Sequence, residues 1–318
     1  MSFDRGNLAL GSRVTSHVRN SPGIRLFHHA AGLLMALMTV SCVAHGRVEQ
    51  RPYTAFKSPQ RVEVVGYSGD AMEPFITRDG RYLLFNNRND PAVDTNLYYA
   101  ERIDDLHFRF RGEVRGANST ALDGVPSVSR DGTLVFISTR SYSATASTVY
   151  WAHFKNGVAT GVELIPGVSK NLPGWVNFDA EISADGQSLI AVDSQFNSSH
   201  QPKSATLFLL RRHGRGFERL PDAEDPFKNI NGDDLVYAPA ESEDERELFF
   251  TKVHAITPDA LPQIWRAARK SKLDPFGSPQ PIAAISGFAE APTISSDGHS
   301  LYYHRREGDR YVIYRVTR

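Results

Sequence analysis

Five copies of one short pattern occur along the chain, and this repeat restricts the fold more than any other feature of the sequence. In each copy a polar turn sequence, usually ending in Asp-Gly, stands just before an apolar run. The aligned aspartates are Asp79, Asp131, Asp185, Asp244 and Asp297. Successive aspartates are 52, 54, 59 and 53 residues apart. A regular period of this length is typical of propellers, solenoids and other repeat arrays.

Each repeat has the sequence pattern of antiparallel strands. Asp-Gly between two apolar runs is a strong hairpin signal, and we expect a two-residue type I′ turn there. A third run of β-branched and aromatic residues follows, for example at residues 97–99 and 149–151. A fourth, weaker run closes the early repeats, for example at 161–165. Four antiparallel strands in about 50 residues correspond to one propeller blade.

The two ends of the repeat region predict how the ring closes. The last repeat lacks a fourth run, and a strand-like run without a partner covers residues 61–65, before the first repeat. If this N-terminal strand joins the last blade, no sheet edge stays open at the seam. We therefore predict an all-β fold, a five-bladed β-propeller of four-stranded blades, over residues 61–318. The fourth repeat departs most from the pattern, because Glu241 replaces an apolar residue and Glu245 replaces glycine.

The pattern Pro-x-x-Ser/Thr-x-Asp-Gly is complete at residues 74–80, 126–132 and 292–298. It resembles the propeller repeat of TolB-like bacterial periplasmic proteins, and the resemblance covers about residues 61–318. This resemblance implies the propeller fold and export to the periplasm. The family usually has proline directly before the aspartate, and this chain departs from it there. The residues at that position are Arg78, Arg130, Ala184, Glu243 and Ser296.

The first 60 residues differ from the repeats and resemble an export signal. Four arginines precede an apolar stretch at residues 30–40, which is followed by Ser41 and Cys42. A basic region, a short apolar core and a small-residue site form a secretory signal, and this core is too short to span a membrane. We predict a signal peptide at residues 1–41, a tether at 42–60 and the propeller at 61–318. Cys42 stands in a sequence that resembles a bacterial lipobox, so we predict lipidation of its thiol.

These features predict where the protein resides and what it contacts. We expect a periplasmic monomer anchored to the outer membrane through the lipid on Cys42, with a secreted soluble protein as the alternative. Removal of residues 1–41 leaves 32 cationic and 35 acidic side chains, a net charge of −3. No basic excess indicates nucleic acid as a partner. Contact with the membrane is expected only through the lipid anchor.

Long loops at the blade ends opposite the Asp-Gly turns define the expected functional face, because functional residues concentrate on loops over a rigid scaffold. Carboxylates, amides and aromatic rings around a concave mouth suit a glycan or a polar peptide. Polar residues are also the ordinary composition of propeller loops, which is the simpler interpretation. The candidate ligand-binding residues are Asn86, Asn87, Arg88, Trp175, Asp179, Asp193, His304 and Arg305.

An enzymatic alternative rests on four acidic residues. Glu73, Asp179 and Glu290 lie at or beside the first position of the inner strand in the first, third and fifth repeats, and Asp193 follows the second strand of the third. The expected architecture resembles that of arabinanase-type glycoside hydrolases, which place acids of different blades around the channel. Glycoside hydrolysis requires two carboxyl groups about 5–9.5 Å apart. The simpler interpretation is that these acids are polar residues preceding the inner strands.

Other chemistries have less support in the sequence. TolB-like lyases gather propeller histidines around a metal, and His200, His254 and His304 fall on the functional face, but no two of them have ligand spacing. We therefore predict no metal and no other cofactor. A Gly-x-Ser-x-Gly elbow, a P-loop and a dinucleotide fingerprint are all absent. The sequence favours a non-catalytic scaffold that binds a protein, peptide or glycan, with a carbohydrate-active enzyme as the alternative and a purely structural envelope protein third.

Overall fold

Strands make up most of the chain that the computed structural model describes, which comprises residues 53–89, 94–197, 202–254 and 260–318. The second strand of the first repeat shows why. Leu83 and Phe85 pack into one hydrophobic cluster, and Leu84, between them, packs into another. This alternation has the period of two that a β-strand requires. The strand is buried on both sides, as expected for a blade between two neighbours.

The strands form five sheets, one for each blade. In blade one they are Met72–Ile76, Tyr82–Asn86, Leu97–Arg102 and His107–Glu113. Blade two consists of Asp123–Val128, Thr133–Ser138, Val149–Lys155 and Val158–Leu164. Blade three consists of Trp175–Val176, Ala180–Ile182, Ser188–Phe196, Pro202–His213 and Gly216–Arg219. Blade four consists of Leu235–Glu241, Glu247–Val253, Gln263–Ala268 and Gln280–Pro281. Blade five consists of Ala289–Ile294, Ser300–Glu307, Arg310–Thr317 and Lys57–Arg61.

Two one-turn helical segments complete the described structure, an α-helix at Tyr142–Thr145 and a 3₁₀-helix at Asp222–Glu224. The inner strands of neighbouring blades contact one another around the whole ring, and the inner strand of blade five contacts that of blade one. The predicted five-bladed β-propeller, closed by an N-terminal strand that joins the last blade, is therefore confirmed.

The closing strand lies a few residues earlier than predicted. Lys57–Arg61 pairs antiparallel with Arg310–Thr317 of blade five, and most of this strand falls in the stretch predicted as a tether. Glu63–Val65, which the sequence suggested as part of the closing strand, runs parallel to the outer strand of blade one instead. All five residues of the closing strand are exposed, so it has no apolar periodicity to reveal it.

The turns between the first two strands of each blade are not of type I′, and that prediction was wrong. At the first turn only Gly80 has a positive φ, 68°, whereas type I′ needs positive φ at both central residues. The Asp79 carboxylate accepts hydrogen bonds from Thr77 Oγ1 at 2.6 Å and from the Arg81 N–H at 3.0 Å. The aspartate side chain therefore stabilises the turn, as Asp does in Asx-turns.

The core is divided among five hydrophobic clusters, each between two neighbouring blades. The aromatic residues that recur on the third strands take part in this packing. Tyr150, for example, lies in the cluster between blades one and two, and Trp265 packs against the cluster between blades three and four. Packing between blades therefore accounts for these aromatic residues, as their repeat spacing suggested.

The unusual fourth repeat keeps the fold because its two glutamates have specific partners. Glu241 is buried and forms an ion pair with Arg269 Nη2 at 3.0 Å. Glu245 adopts φ 55° at the position that glycine occupies in the other turns, and its carboxylate lies 2.6 Å from Lys272 Nζ. Ion pairing thus compensates for the loss of an apolar residue and of a glycine.

Several predictions concern residues outside the described ranges. They are the signal peptide at 1–41, the lipidated Cys42, the first part of the tether at 42–60, and His200. Within the described residues, no helix is long and apolar enough to cross a membrane. The signal peptide and the lipid anchor stay predictions.

Candidate active site

A backbone bulge in the inner strands shapes the end of the channel opposite the turns. In four blades the residue before the inner-strand proline adopts the left-handed conformation, which costs a non-glycine residue about 1–2 kcal/mol. These residues are Glu73 (φ 50°), Val125 (φ 54°), Ala238 (φ 48°) and Ala291 (φ 52°). Strand pairing shifts register at the same point in these blades. Each bulge directs its backbone N–H away from the ladder, so it requires another acceptor.

A side chain of the preceding blade accepts a hydrogen bond from each of these N–H groups. The pairs are Val125 N–H with Asn86 Oδ1 at 2.9 Å, Ala238 N–H with Asp179 Oδ2 at 3.0 Å, Ala291 N–H with Thr251 Oγ1 at 3.0 Å, and Glu73 N–H with His304 Nδ1 at 3.2 Å. Asn86, Thr251 and His304 occupy the same position of the second strand in their blades. The bulges therefore link neighbouring blades around the mouth.

Three carboxyl groups converge at this mouth, from Glu73 in blade one, Asp179 in blade three and Glu290 in blade five. Glu73 and Asp179 line the same cavity, and His304 bonds both to the Glu73 backbone N–H and to Glu290 Oε2. Glu290 accepts hydrogen bonds at both oxygens, from the Tyr237 hydroxyl at Oε1 and from His304 at Oε2. We call Glu73, Asp179, Tyr237, Glu290 and His304 the mouth cluster.

His304 connects two of these acids and is itself completely buried. A backbone N–H can only donate, so Nδ1 of His304 accepts the hydrogen bond from Glu73 and carries no proton. The ring hydrogen of this neutral imidazole is then on Nε2, which donates to Glu290 Oε2 at 3.1 Å. His304 thereby holds the Glu290 carboxylate in a fixed orientation relative to the Glu73 backbone.

Glu73 is the most strongly perturbed acid that is still partly exposed. Burial among protein atoms raises its pKa to about 8, and the negative charges of Asp179 and Glu290 add to this increase. Asn89 Nδ2 donates to Glu73 Oε1 at 3.0 Å. Glu73 is therefore mostly protonated at neutral pH, with Oε1 accepting and Oε2 available to carry the proton.

Asp179 lies deeper than Glu73, with an exposed fraction of 3%. Burial raises its pKa well above the ordinary value, the hydrogen bond from the Ala238 N–H opposes this, and the charge of Glu290 raises the pKa further. Burial and the neighbouring carboxylates likewise raise the pKa of Tyr237, which keeps the phenol protonated as a donor to Glu290. Glu73 and Asp179, whose pKa values burial raises, therefore lie beside Glu290, whose carboxylate is held by two hydrogen-bond donors.

Asp193, the fourth predicted acid, has a different environment. Its carboxylate accepts hydrogen bonds from Arg219 at 2.7 and 2.9 Å and from Asn177 at 3.0 Å, and Lys170 Nζ lies 3.0 Å away. Burial acts to raise the pKa of Asp193, but Arg219 and Lys170 outweigh it and hold the pKa below its usual range. This arrangement is that of a structural ion pair, and the structure gives Asp193 no place in the mouth cluster.

The structure disperses the predicted ligand-binding residues. Asn86 is buried as an inter-blade acceptor, and Asn87 bonds within its own loop, to the Asp94 carbonyl at 2.7 Å. Arg88 forms an ion pair with Asp70 at 2.9 Å. The remaining two make cation–π contacts at the edge of the mouth: Trp175 lies under Lys170, and Arg305 lies over Tyr314.

The channel below the mouth cluster is narrow. Its lining includes Glu73, Asp179 and Glu181 together with inner-strand prolines, and the cavity there measures about 20 Å³. This is space for about one water molecule, so a ligand would bind above the carboxyls rather than inside the channel. Among the described residues, no group of three or more His, Cys, Asp or Glu side chains could hold a metal ion.

Two contributions to the mouth cluster were not predicted from the sequence, the hydroxyl of Tyr237 and the linking role of His304. A signal for His304 does exist, because it aligns with Asn86 and Thr251 in the repeat and all three carry an acceptor. No comparable signal exists for Tyr237, since its partner Glu290 is 53 residues away in the next blade.

Comparisons with known proteins support the propeller fold. No protein-family model and no curated protein sequence matches the chain. A solved glycoside hydrolase has 13% identity and a TM-score of 0.56, covering 84% of this chain and 91% of its own. Zg3597, a family 117 glycoside hydrolase of the marine bacterium Zobellia galactanivorans, has 12% identity and a TM-score of 0.53, covering 83% and 90%. At these identities the likeness establishes the fold alone.

A TolB structure is also among the similar solved structures. TolB from Acinetobacter baumannii matches with 17% identity and a TM-score of 0.43, and the match covers 76% of this chain and 53% of that one. A similarity at this level supports no statement about function or cellular location. Membership of the periplasmic family stays a prediction.

The prediction that the protein is a non-catalytic scaffold was wrong. The similar solved structures include several glycoside hydrolases, among them two α-L-arabinofuranosidases and an exo-β-1,3-galactanase. The three mouth carboxyls lie on different blades, more than 100 residues apart in the chain, and the sequence supported them only as the alternative. The catalytic alternative is the better supported of the two.

Proposed function

We propose that the protein hydrolyses a glycosidic bond at the channel mouth. The observation that carries this proposal is the convergence of Glu73, Asp179 and Glu290 from three blades, with Glu73 mostly protonated at neutral pH. Glycoside hydrolysis requires one carboxyl group that donates a proton and a second that acts as base or nucleophile. The names of the similar structures, which are mostly glycoside hydrolases, support the same class of reaction.

The environments of the acids suggest their roles. Glu73 is the proton donor to the leaving-group oxygen, because its pKa of about 8 keeps it protonated and it is partly exposed. Glu290 acts as the base or nucleophile, since Tyr237 and His304 hold its carboxylate in one orientation. Asp179, deeper in the channel, has an electrostatic role, because its charge raises the pKa of Glu73.

The test uses synthetic aryl glycosides with two leaving groups. A panel of arabino-, galacto-, xylo- and glucosides with 4-nitrophenyl leaving groups, together with plant and algal polysaccharides, identifies a substrate. On that sugar, Glu73→Gln should lower kcat/KM about 100-fold or more for a poor, alkyl leaving group. It should have a much smaller effect with 2,4-dinitrophenyl, which departs without protonation. Glu290→Gln should abolish turnover with both leaving groups.

The control variant is Glu63→Gln, which changes an exposed glutamate of the same blade. It should leave kcat/KM unchanged with either leaving group. The proposal fails if no glycoside in the panel is hydrolysed. The assignment of Glu73 as proton donor fails if Glu73→Gln lowers kcat/KM equally for the two leaving groups, or lowers it for neither.

We also propose that the protein is exported and lipidated at Cys42. The basic and apolar order of residues 1–41 and the lipobox-like sequence around Cys42 support this. Labelled palmitate should be incorporated into the full chain in bacteria and not into a Cys42→Ala variant. A variant that still partitions with membranes would contradict the lipid anchor.

A further inference from the structure

A second cavity lies at the turn end of the blades, opposite the mouth cluster. It measures about 440 Å³, within the range of small-molecule sites. The turns of blades one and two and the loop between the last two strands of blade two form its walls. The lining residues used below are Arg78, Arg81, Tyr82, Arg130, Lys155 and Asn156, and we call this space the turn-face groove.

The groove is predominantly cationic. Its lining contains four cationic side chains and one carboxylate, Asp79, which already accepts hydrogen bonds from Thr77 and from the Arg81 N–H. The side chain of Lys155 is exposed, and its amino group has no hydrogen bond or ion pair with any described residue. The side chain of Arg130 is 65% exposed and forms an ion pair with Glu243, which is not part of the groove lining.

Arg81 completes the exposed part of the groove. It is 54% exposed, and its guanidinium lies over the Tyr82 ring and 3.3 Å from Glu101 Oε1. The Tyr82 hydroxyl donates to Asn156 Oδ1 at 3.0 Å, which holds the two walls together. Exposed ion pairs of this kind contribute little to stability, so a ligand can compete for these cations at small cost.

Arg78 forms the buried wall of the groove, and one of its hydrogen-bond donors has no acceptor among the described residues. Its side chain is only 4% exposed, and Nη2 donates to Glu181 Oε1 at 2.9 Å and to the Ile182 carbonyl at 3.1 Å. Its buried Nε–H has no acceptor among the described residues. A buried donor without a partner is uncommon, because it loses its hydrogen bond to water without gaining another. The TolB-like repeat usually has proline at this position, so Arg78 is a departure of this chain from that repeat.

We propose that the turn-face groove binds an oxyanion-bearing small ligand, one that carries a carboxylate, sulfate or phosphate group. Arg81, Arg130 and Lys155 supply the exposed charge, and Arg78 supplies a fixed cation behind them. Guanidinium groups are suited to such ligands because they bind oxyanions with two parallel hydrogen bonds. The Tyr82–Asn156 wall contributes a hydrogen-bonding edge for the rest of the ligand. This site is independent of the proposed hydrolysis.

The test is isothermal titration calorimetry of the full chain at low salt. The probes are inorganic sulfate, inorganic phosphate, glucuronate and glucose 6-sulfate, with glucose as the neutral comparison. At least one anion should bind saturably, glucose should not, and the affinity should fall as salt rises. Equal affinity for inorganic and sugar-borne anions identifies a site for the free oxyanion. Preference for the sugar anions identifies a saccharide site.

Two variants locate the binding. The double variant Arg130→Gln with Lys155→Gln should weaken binding about tenfold, because two exposed charge pairs each contribute up to about fivefold. Lys228→Gln, an exposed lysine of blade four's leading loop, is the matched control and should bind like the original protein. Glu73→Gln should also bind normally, which separates this site from the mouth cluster. Absence of saturable binding by every anion, or equal binding by the double variant, would overturn the proposal.

Discussion

The raised pKa of Glu73 predicts a pH-dependent loss of stability that needs no substrate to observe. Its pKa rises from 4.5 to about 8 on folding, so the folded state binds this proton more tightly than the unfolded state. The stabilisation is complete below pH 4.5 and is lost as pH rises through about 8. One pKa unit corresponds to about 1.36 kcal/mol, so the full shift corresponds to at most about 5 kcal/mol. About 4 kcal/mol of this contribution is lost between pH 5 and pH 9.

Replacement of Glu73 by glutamine should remove this contribution while preserving the local contacts. Glutamine keeps an oxygen that can accept the hydrogen bond from Asn89 Nδ2, and it does not ionise. Urea unfolding at one-unit intervals from pH 5 to pH 9 gives the free energy of unfolding of both proteins. Relative to Glu73→Gln, the original protein should lose about 4 kcal/mol over this interval, with an unchanged urea slope.

Subtraction of the two curves isolates Glu73, because Asp179 and the other buried acids are present in both proteins. Glu63→Gln is the matched control, since Glu63 is exposed on the same blade, and its curve should coincide with that of the original protein. If Glu73→Gln and the original protein gave parallel curves from pH 5 to pH 9, Glu73 would be ionised in the ordinary range. The argument for Glu73 as proton donor would then be refuted.

Three other substitutions test separate parts of the structure. Asp179→Asn removes a charge that raises the pKa of Glu73, so the high-pH limb of kcat/KM should move to lower pH; an unmoved limb would exclude this coupling. Arg219→Ala leaves the buried carboxylate of Asp193 with less compensation and should lower the free energy of unfolding by about 3 kcal/mol in urea. Gly80→Ala places a Cβ at φ 68° with its nearest neighbour 3.7 Å away, so backbone strain alone should cost about 1 kcal/mol by thermal unfolding.

The fold could be predicted from the sequence wherever a local pattern carries it. The repeated aspartates and the alternation at Leu83, Leu84 and Phe85 are local, and they define the blades and their buried faces. The closing strand Lys57–Arg61 was not predicted at these residues, because all of its side chains are exposed and show no alternation of apolar and polar residues. Its pairing depends on backbone hydrogen bonds to residues more than 250 positions away, and no periodicity in the sequence records them.

The site was predictable in part for the same reason. Repeat alignment placed Glu73, Asp179 and Glu290 at equivalent strand positions, so their convergence follows from the ring. The environment of each carboxyl depends on contacts that alignment cannot supply. Asp193, predicted as a fourth candidate after the second strand of its blade, is instead paired with Arg219 on the outer strand of the same blade. Charge partners brought together by folding, rather than residue type, separate a structural acid from a candidate catalytic one.

The position of the mouth cluster follows from how the ring closes. Left-handed bulges before proline link neighbouring blades through side-chain acceptors, and in two of the four links the donor residue and the acceptor are both uncharged. At the junction of blades five and one, the donor residue is Glu73 and the acceptor is His304, which also holds Glu290. This junction is also where the two ends of the propeller sequence meet. A hydrogen bond that links the last blade to the first, from the Glu73 N–H to His304 Nδ1, therefore also orients the candidate catalytic groups.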